Sequence, residues 1–168
     1  MPRMPILIDG HNLIPKIPGF HLSDLDDENR LVEILQEYAR LRRRSQIECF
    51  FDQAPVGHSR VRKFGSIRVQ FALPSSSADA EIEVRLRKLG RQARNWDVVS
   101  SDQRVQSAAR SVGARVVRSE DFAVEMLAVL RRGEKNGIVW EEPKVREDEV
   151  EMWMKLFRSS SKKKKDET

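Results

Sequence analysis

The chain is poor in the residues that carry most redox, covalent and nucleotide chemistry. It has one cysteine, Cys49, among 168 residues. No internal disulfide can form, and a thiol inside an apolar run reads as an inert core group rather than a nucleophile. A reducing, cytoplasmic setting is the matching expectation. No G-x-G-x-x-G marks a dinucleotide fold and no G-x-x-x-x-G-K-[ST] marks a triphosphate loop, so no nucleotide cofactor is expected. No apolar run approaches the roughly 18 residues of a membrane span. The opening apolar stretch is broken at once by Asp9, which leaves no hydrophobic region of a secretory leader. Internal repeats are absent.

What is present is charge. Lys and Arg total 31 against 26 Asp and Glu, a net +5. Residues 159–168 hold four lysines, one aspartate and one glutamate, so the tail supplies +2 and the body +3. A polyanionic partner is compatible with that modest bias. Length and composition suggest one domain over 1–133, then a connector and helix packed on it over 134–158, then a disordered basic tail over 159–168.

The organising stretch is Met4-Pro5-Ile6-Leu7-Ile8-Asp9-Gly10-His11-Asn12-Leu13. A short apolar run without polar alternation suits a strand buried on both faces. Gly10 removes the side chain that would crowd the rim of the sheet and frees the backbone for a tight turn there. The theme of an apolar run closing on aspartate returns at Gln46–Asp52 and Asp97–Asp102. Ser66–Ala72 alternates and reads as a strand at or near an edge. Ala114–Arg118 is a fifth strand, and Ala54–Gly65 reads as loop. Helices are expected over Glu28–Arg44 with Ser23 as cap, from Ser77 through Arg94, over Arg104–Val112 ended by Gly113, and over Glu120–Arg132 capped by Ser119 and stopped by Gly133.

Strands alternating with helices predict an α/β fold, a mostly parallel five-stranded sheet covered on both faces. The ends of such strands, and the helix starts beyond them, converge on one rim. Asp9, Asp52 and Asp102 would lie there, with Asp79 at a helix start on the same side. Carboxylates gathered this way repel one another and call for a cation. An all-oxygen donor set selects a hard ion, Mg²⁺ or Mn²⁺. A carboxylate-held divalent ion is a usual device for cutting phosphodiesters. Arg85, Arg87, Lys88, Arg91 and the Arg42–Arg44 run, with Arg60, Arg62, Lys63 and His58 in the loop, are the basic residues available to contact phosphates, which position a strand without reading it.

These residues resemble a known family. Ile8-Asp9-Gly10-His11-Asn12-Leu13-Ile14 is similar to the opening D-G-x-N-x-I of NYN domains in the PIN-like nuclease superfamily. Phe51-Asp52, Ser77-Ala78-Asp79-Ala80-Glu81-Ile82 and Val99-Ser100-Ser101-Asp102 fall where the YacP-like bacterial subgroup has F-D, T-A-D-x-x-I and T-S-D blocks. His11 stands where tyrosine is frequent, and Ser77 replaces threonine. The resemblance implies a PIN-like Rossmannoid three-layer α/β/α fold and a metal-dependent endoribonuclease, with RNA as partner and messenger RNA on the ribosome as one context. It implies Mg²⁺ or Mn²⁺ on Asp9, Asp79 and Asp102, with Asp52 at a more variable position. Asn12 would orient the cluster, with Ser101 bonding alongside it. Arg85, Lys88, Arg91, Arg43, Arg62 and Lys63 are the expected RNA contacts. The competing expectations are a non-catalytic RNA- or ribosome-binding module, and a small-molecule phosphatase, on the same scaffold.

Overall fold

The computed structural model describes residues 4–20, 26–43, 46–54, 57 and 59–134. The expected cap Ser23, His58, Arg44 and everything assigned to 135–168 lie outside the described residues. The sheet has six strands in the order β3-β4-β2-β1-β5-β6. They are β1 (Ile6–Asp9), β2 (Ile47–Gln53), β3 (Val61–Phe64), β4 (Ile67–Ala72), β5 (Asp97–Val99) and β6 (Arg115–Val117). All neighbours run parallel except β3, which pairs antiparallel with β4.

The helices are α1 (Gly10–Leu13), α2 (Asp27–Arg42), α3 (Ala78–Leu89), α4 (Gln103–Ser111) and α5 (Ser119–Glu134). One apolar core joins α2 and α5 to Ile6, Ile8, Ile47, Cys49 and Phe51. A second joins α3 and α4 to Leu7, Phe50 and Val98. Successive side chains of β1 therefore feed opposite cores, which is why its sequence shows no polar alternation. Among the described residues no helix is long and apolar enough to cross a membrane.

Four details depart from the sequence reading. The loop expected over 54–65 contains β3, so the sheet has six strands rather than five. Its four residues alternate exposed and half-buried and carry Arg62 and Lys63, and such a short, charged edge strand has almost no hydrophobic signature. Gly65 makes the tight link to β4 with φ +61°. Gly133 does not stop α5, which runs to Glu134; a Cβ on Gly133 would meet Leu41 Cδ1 at 2.7 Å, so it is a close-approach glycine. Gly10 removes a crowding side chain as expected, since a Cβ there would collide with the Phe51 ring and lie 2.9 Å from the Phe50 carbonyl, but it makes no tight turn and instead starts α1. The Ser119 hydroxyl, finally, does not cap α5 but is turned to Asn12.

Candidate active site

Neighbouring strands β1 and β5 lead into helices on opposite faces, α2 on one and α4 on the other. Their carboxyl ends therefore diverge and leave a crevice of the kind where open α/β sheets bind ligands. Asp9 closes β1 at this crevice and is only 4 % exposed. Its pKa is raised from 3.8 to about 6, by burial first and then by the charges of Asp79 and Asp102; a hydrogen bond from Ser100 partly opposes them.

Asp79 opens α3. The Ser77 hydroxyl accepts from Ala80 N and caps that helix as expected, which places Asp79 in the first turn. Burial raises the Asp79 pKa, Asp102 adds to it, and Arg104 opposes. The Arg104 guanidinium is itself held by both Glu83 oxygens, at 2.7 and 3.1 Å. It damps the repulsion among the aspartates without abolishing it.

Asp102 lies three residues past β5. It is the N-cap of α4, where Oδ1 accepts from Arg104 N at 2.8 Å and Val105 N at 3.2 Å. Ser100, fully buried, joins it to Asp9: the Ser100 hydroxyl donates to Asp9 Oδ2 at 3.1 Å and accepts from Asp102 N at 3.1 Å. Asp9, Asp79 and Asp102 thus share one crevice and sense one another's charge. They are not drawn into direct coordination distance: among the described residues no group of three or more His, Cys, Asp or Glu side chains is gathered tightly enough to hold a metal ion.

Asp52 is differently engaged. It sits on the exposed end of β2. Its Oδ1 accepts from Ala78 N at 3.0 Å, and its Oδ2 lies 3.1 Å from His11 Nδ1. His11 Nε2 is 2.6 Å from Glu28 Oε1. Burial disfavours the imidazolium, but Glu28 and Asp52 together raise the His11 pKa above 6.5. The neutral ring is also satisfied, since a bare Nδ1 can accept from Asp52 N at 3.2 Å. This carboxylate–histidine–carboxylate chain ties α1 to α2 and β2.

Asn12 fixes the other wall. Its Oδ1 accepts from Ser101 N at 2.8 Å and from Ser119 Oγ at 2.6 Å. The Ser101 hydroxyl donates to Glu120 Oε2 at 2.6 Å and accepts from Ser119 N at 3.0 Å. Lys16 pairs with Glu120 at 3.2 Å. Sequence reasoning missed Ser100, Ser119, Glu120, Lys16 and Glu28 as site residues. They are spread over α2, α5, the segment after α1 and the loop after β5, and only the doubled serine before Asp102 carried any signal.

The expected RNA contacts divide by position. Arg85 and Lys88 line one flank of α3, with Lys63 across on β3. Arg62 points to the other face of that strand. Arg43, at the end of α2 with φ +51°, and Arg91, after α3, lie toward the amino edge of the sheet, away from Asp9. Arg85 is already committed to the buried Glu48 through two bonds of 2.8 Å.

The family model described as the YacP-like NYN domain matches residues 6–164, reaching well past residue 133. Among solved structures the chain is similar to Rae1 (YacP) from Bacillus subtilis. The two are 21 % identical with a TM-score of 0.67, over 96 % of this chain and 90 % of that one. A substituted form of the same Bacillus subtilis protein aligns at 23 % identity and a TM-score of 0.64, over 79 % of this chain and 80 % of that one. At these identities the likeness is one of fold. No curated protein matches the chain.

Proposed function

Because the chain belongs to the YacP-like NYN domain family, a nuclease-type, RNA-related family, we propose that it is a Mg²⁺- or Mn²⁺-dependent endoribonuclease. The observation that carries the reading is the meeting of Asp9, Asp79 and Asp102 in one crevice, where burial first and then the charges of Asp79 and Asp102 lift the Asp9 pKa to about 6. A fold that keeps three such carboxylates together stores unfavourable energy that a cation would relieve.

The donor set fits a hard divalent ion. The spacing of the side chains favours an ion that keeps several of its waters and is held by one or two carboxylates, the usual habit of Mg²⁺. Asp9 and Asp79 are the residues we assign to that role, with Asp102 contributing charge. When bound, such an ion lowers the pKa of a water and screens charge on the phosphoryl oxygens. The protein's own groups do the positioning. Ser100 fixes Asp9 against the α4 cap, so the carboxylate keeps one orientation. Asn12 locks the loop after β5 to the start of α5.

We take RNA as substrate, with messenger RNA in a ribosome-linked setting as its context. The test compares cleavage of single-stranded RNA, free and ribosome-bound, by wild type, Asp9→Asn and Asp79→Asn. Each is assayed with Mg²⁺, Mn²⁺ or chelator. The expected result is metal-dependent internal cleavage by wild type and loss of at least about a hundredfold in either variant. Equal cleavage by all three proteins would remove the assignment. Salt-sensitive binding without any cleavage would instead support the non-catalytic module.

A further inference from the structure

Lys63, Arg68 and Glu48 form a row across β3, β4 and β2, paired residue to residue. Paired residues share one face of the sheet, here the face that carries α3. That helix covers β2 but leaves the β3–β4 part open. Between α3 and the open sheet lies a cleft of about 240 Å³ lined by Arg68, Gln70, Glu81, Val84, Arg85 and Lys88.

The charges in this cleft are unevenly satisfied. Glu48, only 2 % exposed, would be the cross-strand partner of Arg68. Both its oxygens are taken instead, by Arg85 at 2.8 Å each and by Gln46 at 2.7 Å. Glu81 accepts from Gln70 at 3.3 Å and from Arg60 at 3.5 Å. Arg68 Nε is buried and has no hydrogen-bond partner. None of the ion pairs among the described residues involves Arg68 or Lys88. The Arg85 bonds use Nε and Nη2, leaving Nη1 available. A buried donor without an acceptor is costly, and native structures rarely keep one without a use.

We propose that this cleft is a phosphate-binding subsite for the backbone of the RNA strand, with Arg68, Arg85 and Lys88 as its donors. The inference rests on the nuclease reading only for the identity of the polyanion. Arg85 is pre-set by Glu48, so it meets a phosphate without losing side-chain freedom. Arg85 and Lys88 follow Asp79 by six and nine residues on α3, about 9 and 14 Å along its axis and about 120° and 180° around it. The subsite therefore lies on the flank of α3 turned away from Asp79, and a strand held at both crosses the amino end of the helix.

The test measures binding of a long single-stranded RNA in chelator, where no metal-dependent cleavage intervenes, as a function of salt. Wild type is compared with the double variant Arg68→Gln/Lys88→Gln and with a control of equal charge change, Arg94→Gln/Arg110→Gln. The expected result is affinity weakened about 5- to 10-fold in the first double variant, with the slope of log K against log salt shallower by about 1.4, or 0.7 per lost contact. The control should keep wild-type slope and affinity. Equal losses in both pairs would reduce the effect to net charge and overturn the subsite, as would an unchanged slope in the first pair. Thermal midpoints of all three proteins guard against misfolding. Since the assay needs no cleavage, failure of the nuclease reading and failure of the subsite are told apart.

Discussion

Ser119 Oγ donates to Asn12 Oδ1 over 2.6 Å, joining residues 107 positions apart in the chain. The same oxygen accepts from Ser101 N. One amide thus holds the loop after β5 and the start of α5 against α1. Asn12→Ala would leave the fully buried Ser119 hydroxyl and a backbone N–H without that acceptor. The expected loss is about 1–3 kcal/mol of stability, read from the urea midpoint at unchanged m-value, together with loss of RNA cleavage. Asn12→Asp keeps an acceptor and should lose less stability, yet it adds a charge beside Asp9. Wild-type stability in Asn12→Ala would show that the clasp contributes nothing.

Gly10 follows Asp9 directly, and its missing side chain is filled by Phe51. A Cβ would lie 2.6 Å from Phe51 Cδ1 and 2.9 Å from the Phe50 carbonyl. The ring can shift, but the carbonyl belongs to the sheet. Gly10→Ala should therefore lose about 1–3 kcal/mol through overpacking, and it should impair cleavage by displacing Asp9 and His11. Gly113 is the contrast. It has φ +80° and open space around it, so alanine there bears only the backbone strain, about 1 kcal/mol. Equal denaturation midpoints for Gly10→Ala and wild type would contradict the packing role.

The acidic rim was legible in the sequence because most of its aspartates stand at a recognisable boundary. Asp9 closes an apolar run, and Asp79 follows a serine that does cap its helix. Asp102 was legible only in part: it follows an apolar run, but its structural work is to cap α4. The β3 strand was hidden because an edge strand need bury little, and Arg62 and Lys63 erase its alternation. Of the wall built by Asn12, Ser101, Ser119 and Glu120, only Asn12 and Ser101 were named as site residues from the sequence, and their partners Ser119 and Glu120 were not. Its bonds link residues about 20 to 107 positions apart, and only the crossing of α1, α5 and the loop after β5 brings them together. Arg85 illustrates the same limit from the other side. A basic residue on a helix face looks like a phosphate contact, and nothing local reveals that Glu48, on another element, already holds it.

That pairing makes Arg85 a poor single-site probe of RNA binding. Removing it leaves a carboxylate that is 2 % exposed facing its own vacancy. Breaking such a pair typically loses about 3–5 kcal/mol, whereas replacing both partners by matched neutral groups is near neutral. Arg85→Met should accordingly be much less stable than the double variant Glu48→Gln/Arg85→Met. A double-mutant cycle in urea measures the coupling. Additive losses from the two sites would mean that the pair is not coupled as its geometry requires.

The raised pKa of Asp9 sets a sign that can be checked without any substrate. The native carboxyl titrates at about 6, against about 3.9 in an unfolded chain. Between these values the folded protein keeps a proton that the unfolded chain has lost. Stability therefore falls as pH rises through that window and levels off above pH 6. Asp9→Asn removes the penalty while keeping an oxygen to accept from Ser100. In chelator at pH 7 the variant should be more stable than wild type, by about 1–3 kcal/mol, and near pH 4 the two should coincide. His11 cannot imitate this window, because its pKa is raised above 6.5 and its contribution is lost only at higher pH. Excess Mg²⁺ should then raise the wild-type melting temperature more than that of Asp9→Asn, in which only Asp79 and Asp102 are left to repel one another. A variant less stable than wild type at pH 7, or a Mg²⁺ response equal in both, would mean that the carboxylates are stabilised within the protein itself and need no cation.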